Sequence, residues 1–145
     1  MPYRHVQAAP MMYLISVLGV AGAVIGFGRR DDLGGGFWVY QAAMMLLIVT
    51  GVVIARLTVV VDDRTVTTSF GWGWPNREIA LADVAAVSHV RNSWWYGWGL
   101  RRVARGWMYN NSGRDAIELT LRSGKVFRVG TDEPTELLTA INRAR

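Results

Sequence analysis

Residues 89–107 hold Trp94, Trp95, Tyr96, Trp98 and Trp107 together with Arg91, Arg101, Arg102 and Arg105, and no carboxylate. Aromatic rings offer flat apolar faces with a polar edge, and guanidinium offers a rigid fork of donors to phosphate or carboxylate. Three uses fit that mixture. In the most economical one, the tryptophans fill the end of a β-barrel and the arginines point to water. In the second, the segment lies against a bilayer. There Trp and Tyr settle among headgroups, and each Arg attracts anionic lipid by about 1 kcal/mol. The third is stacking on bases with Arg on phosphate, which a nearby membrane tether disfavours. A surface for another protein would use the same side chains. The candidate contact residues are therefore Trp94, Trp95, Tyr96, Trp98, Arg101, Arg102 and Arg105. Gly97 and Gly99 alternate with Tyr96 and Trp98, so Trp94 to Gly99 is expected as a tight loop or bulge. Gly71-Trp72-Gly73-Trp74 has the same interleaved character. If both loops lie on one edge, they form a shared aromatic surface facing the membrane or a partner.

Acid–base or covalent catalysis has little to work with. His5 and His89 are far apart in sequence, and Asp62, Asp63, Asp83, Asp132, Glu133 and Glu136 read as turn, cap and helix-start residues. The chain has no cysteine, which removes thiolate ligands, disulfides and a Cys nucleophile. No phosphate-binding glycine loop or His-rich metal spacing appears. The expectation is a non-enzymatic protein without a cofactor or metal and without a nucleic-acid partner. The net charge is +5, carried almost wholly by Arg, with Lys125 the sole lysine.

The elements that must position the aromatic segment begin with two apolar runs. Residues 11–28 and 37–55 carry no charged side chain, and Gln41 is their one strongly polar residue. As helices they cover about 27–29 Å, the thickness of the hydrocarbon layer. Neither has the polar face that a helix of a small soluble domain keeps. Both read as transmembrane helices, preceded by a tail at 1–10 and joined by a hairpin turn at 29–36 with two potential ion pairs and three glycines. Gly22 and Gly26 form a small-xxx-small pair for close helix approach, first to the second span and otherwise to a second copy. A signal peptide cleaved near Ala21-Gly22-Ala23 is the competing reading of the first run, but the apolar stretch continues past that site. Arg4, Arg56, Arg64 and Arg77 flank the outer ends against Arg29 and Arg30 in the turn. That balance places both termini in the cytoplasm and the chain in the inner (plasma) membrane as a multi-pass protein.

From Leu57 onward short β-branched runs alternate with polar turns. The pattern predicts strands near 57–61, 65–70, 77–81, 84–90, 107–110, 116–121 and 126–129, with hairpins at Asp62-Asp63-Arg64 and Arg122-Ser123-Gly124-Lys125. The turn after 107–110 falls at Asn111-Ser112-Gly113. Thr131 or Asp132 caps a last helix opening with Glu133 and Pro134, its apolar face formed by Leu137, Leu138, Ile141 and Ala144. Residues 56–145 are expected as one soluble unit.

The run Trp95-Tyr96-Gly97-Trp98-Gly99-Leu100-Arg101, then Gly106-Trp107-Met108-Tyr109-Asn110, Asp115-Ala116-Ile117-Glu118-Leu119 and Val129-Gly130-Thr131-Asp132-Glu133-Pro134 carry a family likeness. With the two spans, the chain resembles small bacterial membrane proteins that join two N-terminal transmembrane helices to a bacterial pleckstrin-homology-like (PH-like) domain. That resemblance implies a two-helix transmembrane hairpin plus a mainly-β PH-like barrel of six to seven antiparallel strands capped by a C-terminal helix. It supplies a location more than an activity. The Asp62-Asp63-Arg64 turn stands where PH domains that bind phosphoinositides carry a basic loop, so that role is not carried over. Two functions follow as expectations. One is an interaction module at the membrane surface, with the bilayer and a membrane-protein partner or second copy as its contacts. The other is an accessory subunit of a transport or secretion complex, acting through its spans and the Gly22 and Gly26 face.

Overall fold

The computed structural model describes residues 2–111 and 113–145; the part of the expected 111–113 turn at Ser112 lies outside them. In chain order the elements are β1 (Tyr3–Ala8), α1 (Pro10–Gly28), α2 (Arg30–Leu33), α3 (Phe37–Ile54), β2 (Arg56–Val61), β3 (Thr65–Phe70), β4 (Asn76–Ala80), β5 (Val84–Arg91), β6 (Gly99–Val103), β7 (Gly106–Asn110), β8 (Asp115–Leu121), β9 (Val126–Gly130) and α4 (Pro134–Ala144).

α1 and α3 are long and apolar enough to cross a membrane, and they pack on each other as an antiparallel pair. Pro10 opens α1 at a position where its missing N–H costs nothing. The short α2 and a 3₁₀ turn at Gly34–Gly36 make the connection, where Arg29 Nε lies 3.1 Å from Asp32 Oδ2 and Arg30 Nε lies 3.8 Å from Asp31 Oδ1. Glycines set the closeness of the two helices. A Cβ on Gly26 would overlap the Tyr40 ring, and one on Gly51 would overlap Ser16 Oγ and sit 2.6 Å from Met12 O. The polar groups in this contact bond across it. Tyr40 Oη donates to Gly22 O at 2.9 Å, Gln41 Nε2 to Ala23 O at 3.3 Å, and Ser16 Oγ to Ile48 O at 3.1 Å.

The β region forms two sheets, ordered β1-β2-β3-β4 and β5-β8-β9-β7-β6. Their apolar faces meet in one core. Leu57, Val59 and Val61 alternate inward on β2, Val66 and Phe70 on β3, and Ile117, Leu119, Phe127 and Val129 come from the second sheet. Phe70 stacks on Tyr109 with centroids 5.2 Å apart, and Tyr109 meets Phe127 edge-on at 5.3 Å. α4 lays Leu137 and Ile141 fully buried onto this core, with Leu138 and Ala144 partly covered. The expected cap at Thr131 or Asp132 is not formed: Glu133 is the N-cap of α4 and no side chain caps it, while Thr131 Oγ1 accepts the Glu133 N–H at 3.0 Å just before the helix.

Other expectations change as well. Among the described residues the β region has nine strands, not six or seven, and β7 runs parallel to β9. Among the described residues the two sheets share no strand pairing and do not close into a barrel. The expected tail at 1–10 contains β1, paired along its whole length with β2 from Tyr3↔Val61 to Ala8↔Arg56. β1 is inverted in polarity: Tyr3, His5 and Gln7 face inward while Val6 is exposed. Its inward face is held by polar bonds. Gln7 Nε2 donates to Gly130 O, and the ring nitrogens of His5 lie 2.6 Å from Asp132 and 3.2 Å from Glu133. Tyr3 Oη donates to Glu133 at 3.4 Å; burial, then the Glu133 charge, push its phenol pKa up, so it remains a donor.

The domain and the helix pair are continuous. A single residue, Ala9, separates β1 from α1, and a single residue, Ala55, separates α3 from β2. Between them the Ala9 N–H donates to Ala55 O at 2.8 Å. Asn111 Nδ2 braces the same junction, donating to Gln7 O at 2.9 Å and to Ala55 O at 3.5 Å.

Two outcomes are expected. Gly51→Leu should cost about 1–3 kcal/mol by overpacking and lower the thermal midpoint in detergent micelles. Gly35→Ala, with open space around Gly35, should leave it unchanged. Asn111→Ala should cut hydrogen-exchange protection of the Ala9 amide roughly tenfold while core strands stay protected. Unchanged protection would mean that the β1–β2 ladder alone holds the junction.

Candidate functional site

Strand direction decides which loops return to the helix pair. β2 leaves α3 and β3 comes back, so the β3–β4 loop, 71–75, closes on the helix end. The Gly71 N–H donates to Arg56 O at 3.0 Å, and a Cβ on Gly71 would lie 3.2 Å from Val53 O. β5 also runs toward the helices, because Arg91 pairs with Asp115 at the start of β8. Segment 92–98 therefore emerges at that same end. A Cβ on Gly99 would sit 3.3 Å from Ile54 Cδ1. Both Gly/Trp segments thus approach the last turn of α3, Gly71 at Val53 and Gly99 at Ile54.

Each loop turns through left-handed glycines. Trp72 stands between Gly71 (φ 48°) and Gly73 (φ 106°), and Trp98 between Gly97 (φ 58°) and Gly99 (φ 96°). These conformations cost glycine nothing, and they turn the rings outward. Trp72 is 89% exposed, Trp74 77%, Trp94 64%, Trp95 77% and Trp98 42%. The expectation that tryptophans fill the barrel end is therefore overturned, since Phe70, Tyr109 and Phe127 fill the core instead. Trp94 and Trp95 stack with centroids 3.8 Å apart on a 3₁₀ turn, Trp94–Tyr96, and Tyr96 is half-buried.

The arginines divide. Arg101 Nε donates to Trp98 O at 3.3 Å, which folds its side chain back over the aromatic loop. Arg102 is exposed on the other face of β6, opposite Trp107. Arg105 is set apart from the group it was expected to join. It lies in the turn between β6 and β7, at the far end of β6 and about 13 Å along the strand from Gly99, with its carbonyl accepting the Val126 N–H. Its place is taken by residues from other elements: Arg56 on β2, Arg77 on β4, Arg91 on β5 and Arg114 before β8, all exposed. Arg56 Nε donates to Tyr13 Oη at 3.1 Å, and Arg114 Nε to Asn92 O at 3.2 Å. Asp115 is the carboxylate at the paired strand ends here, and His89 Nε2 lies 3.0 Å from it. Asp132 and Glu133 turn instead to His5.

Arg114 had no signal in its local sequence. Arg56 and Arg77 had one only through their flanking of the spans. What finds all three is antiparallel parity, because every second strand end must return to the helix pair.

Gly22 and Gly26, the candidate helix-packing residues, face Met44 and Tyr40 of the same chain. Among the described residues no three His, Cys, Asp or Glu side chains converge as metal ligands do. The carboxylates around His5 approach opposite ring nitrogens.

One end of the domain therefore presents exposed indoles ringed by arginines, against the last turn of an apolar helix. No protein-family model and no curated protein matches the chain, which leaves its function to be argued from that end and the helices beside it.

Proposed function

We propose that this chain is a membrane-anchored, non-enzymatic interaction module with a PH-like domain. In this reading it sits in the inner membrane with both termini cytoplasmic and uses its Trp/Arg end as the contact surface. One observation carries it: the exposed aromatic and basic loops lie at the end of the domain where the apolar helices attach.

Three further features support the anchor. α1 and α3 expose large apolar side chains, among them Leu18, Val24, Trp38, Val39 and Leu46 at 61–77%. A core helix of a soluble protein buries such residues. A cleaved signal sequence fits poorly, because β1 precedes α1 and is a full member of the first sheet. Cleavage near Ala21-Gly22-Ala23 would discard a strand of the domain. Finally, two antiparallel spans return the chain to its starting side, as the pairing of β1 with β2 requires. Arg4, Arg56, Arg64 and Arg77 on that side, against Arg29 and Arg30 in the turn, then favour the cytoplasm for it. The PH-like reading rests on hairpin-connected strands in two facing sheets with one terminal helix packed on their core. The accessory-subunit reading loses its main support, since Gly22 and Gly26 are used within the chain.

The absence of native cysteine makes the test clean. Single variants Leu33→Cys, in the connection between the helices, and Ser123→Cys, in the β8–β9 turn, are labelled in intact cells with a membrane-impermeant maleimide. Leu33→Cys should react from outside, and Ser123→Cys only after permeabilisation. The reverse pattern would overturn the orientation. Extraction of the chain by alkaline carbonate would overturn the anchor.

A further inference from the structure

We propose that loops 71–75 and 92–98 form a two-pronged wedge that seats its indoles in the headgroup layer of the bilayer holding α1 and α3, with the surrounding arginines on anionic phospholipid headgroups. This rests on the membrane-anchored reading above and names its contact. The prongs are Trp72 with Trp74, and Trp94, Trp95 and Trp98.

Continuity with the helices points to lipid as the occupant. Gly71 lies against Val53 and Gly99 against Ile54, within the last turn of α3. That turn is where a spanning helix leaves the hydrocarbon, and Arg56 and Tyr13, bonded to each other, mark the same level. Any loop touching Val53 and Ile54 from the domain side therefore lies at the headgroup layer. Rings placed there gain apolar contact below and keep the indole N–H in a hydrated zone, the environment Trp favours at membrane interfaces. A protein partner would have to displace lipid from around the hairpin to reach them.

Charge gives the second argument. Arg56, Arg77, Arg91, Arg101 and Arg114 ring this end, with Asp115 paired to His89. The opposite end also carries cations, Arg64, Arg105, Arg122, Lys125, Arg143 and Arg145, but interleaves them with Asp62, Asp63 and Asp83. Each arginine near an anionic surface favours the docked state roughly fivefold.

The test uses the full chain in lipid nanodiscs, made either of phosphatidylcholine or of a mixture with phosphatidylglycerol. A nitroxide is placed at Ser93→Cys, an exposed site inside the second prong, at Ser123→Cys on the far end, or at Val17→Cys in α1. Collision with oxygen and with a water-soluble nickel chelate reports depth. The Ser93 label should be shielded from nickel, more strongly with phosphatidylglycerol present, and the Ser123 label should stay in water. Trp72→Ser with Trp74→Ser and Trp95→Ser should expose the Ser93 label in both lipids. Arg91→Gln with Arg114→Gln should lower the ratio of docked to undocked states roughly fivefold per charge, in the phosphatidylglycerol discs alone. An unaltered Ser123 signal and far-UV spectrum show that each variant has folded. A Ser93 label open to nickel in both discs overturns the wedge while a lipid-exposed Val17 label keeps the anchor. A water-exposed Val17 label overturns the anchor as well. Equal shielding in both lipids with no effect of the arginine changes overturns the anionic contact. Shielding seen only in native membranes assigns the surface to a protein and overturns the proposal.

Discussion

The bond from the Ala9 N–H to Ala55 O looks like one ladder contact among many, but the geometry of the molecule depends on it. It sits where a two-stranded β ribbon becomes a two-helix hairpin. Two chain segments cross this boundary side by side, with no flexible linker between sheet and helix. A single connection would leave the domain free to swivel. Two hydrogen-bonded connections, braced by Asn111 from a third element, fix its tilt. That fixed tilt is what gives a strand end at Phe70 or Arg91 a definite height relative to Ile54.

The junction uses polar groups where a packing argument expects apolar ones. Gln7 and Asn111 are almost fully buried, and both bond main-chain groups of neighbouring elements. Such groups are costly to bury alone and specific once paired. A hydrophobic contact between β1 and the second sheet would tolerate sliding by one strand pair. An amide aimed at one carbonyl does not. The same reasoning covers His5 between Asp132 and Glu133, which ties the first strand of the chain to the entry of its last helix.

These polar contacts also explain which parts of the fold could be read from residue pattern. Strands such as Arg56–Val61 and Asp115–Leu121 alternate apolar and polar side chains and were legible. So were the two apolar helices and the amphipathic α4. β1 was not, because its inward positions are Tyr3, His5 and Gln7, which periodicity assigns to a solvated tail. β6 was hidden for a related reason: Leu100, Arg101 and Arg102 are all exposed, so no face stands out. The parallel pairing of β7 with β9 leaves no local trace at all. At the candidate surface the aromatic identities and their glycine hinges were legible, and their exposure was not. A Trp-rich loop looks the same whether it fills a core or leaves one. Proximity in sequence groups Arg105 with Arg101, whereas the length of β6 sets them apart in space.

The wedge reading does not need a strong site. A free domain must pay the entropy of association when it docks on a membrane, whereas in this reading the two helices already hold the surface at the headgroup layer. Docking then becomes an intramolecular event at high effective concentration, and contacts too weak for a soluble domain suffice. On this argument shallow exposed indoles and dispersed arginines are the expected form of such a surface. A deep phosphate-binding pocket would be redundant. The polar turn Asp62-Asp63-Arg64 lies at the end of the domain away from the helices. Its carboxylates are free to serve the turn. Asp62 accepts the Arg64 and Thr65 N–H groups at 2.8 and 2.7 Å, bonds that hold its pKa below the usual carboxylate value.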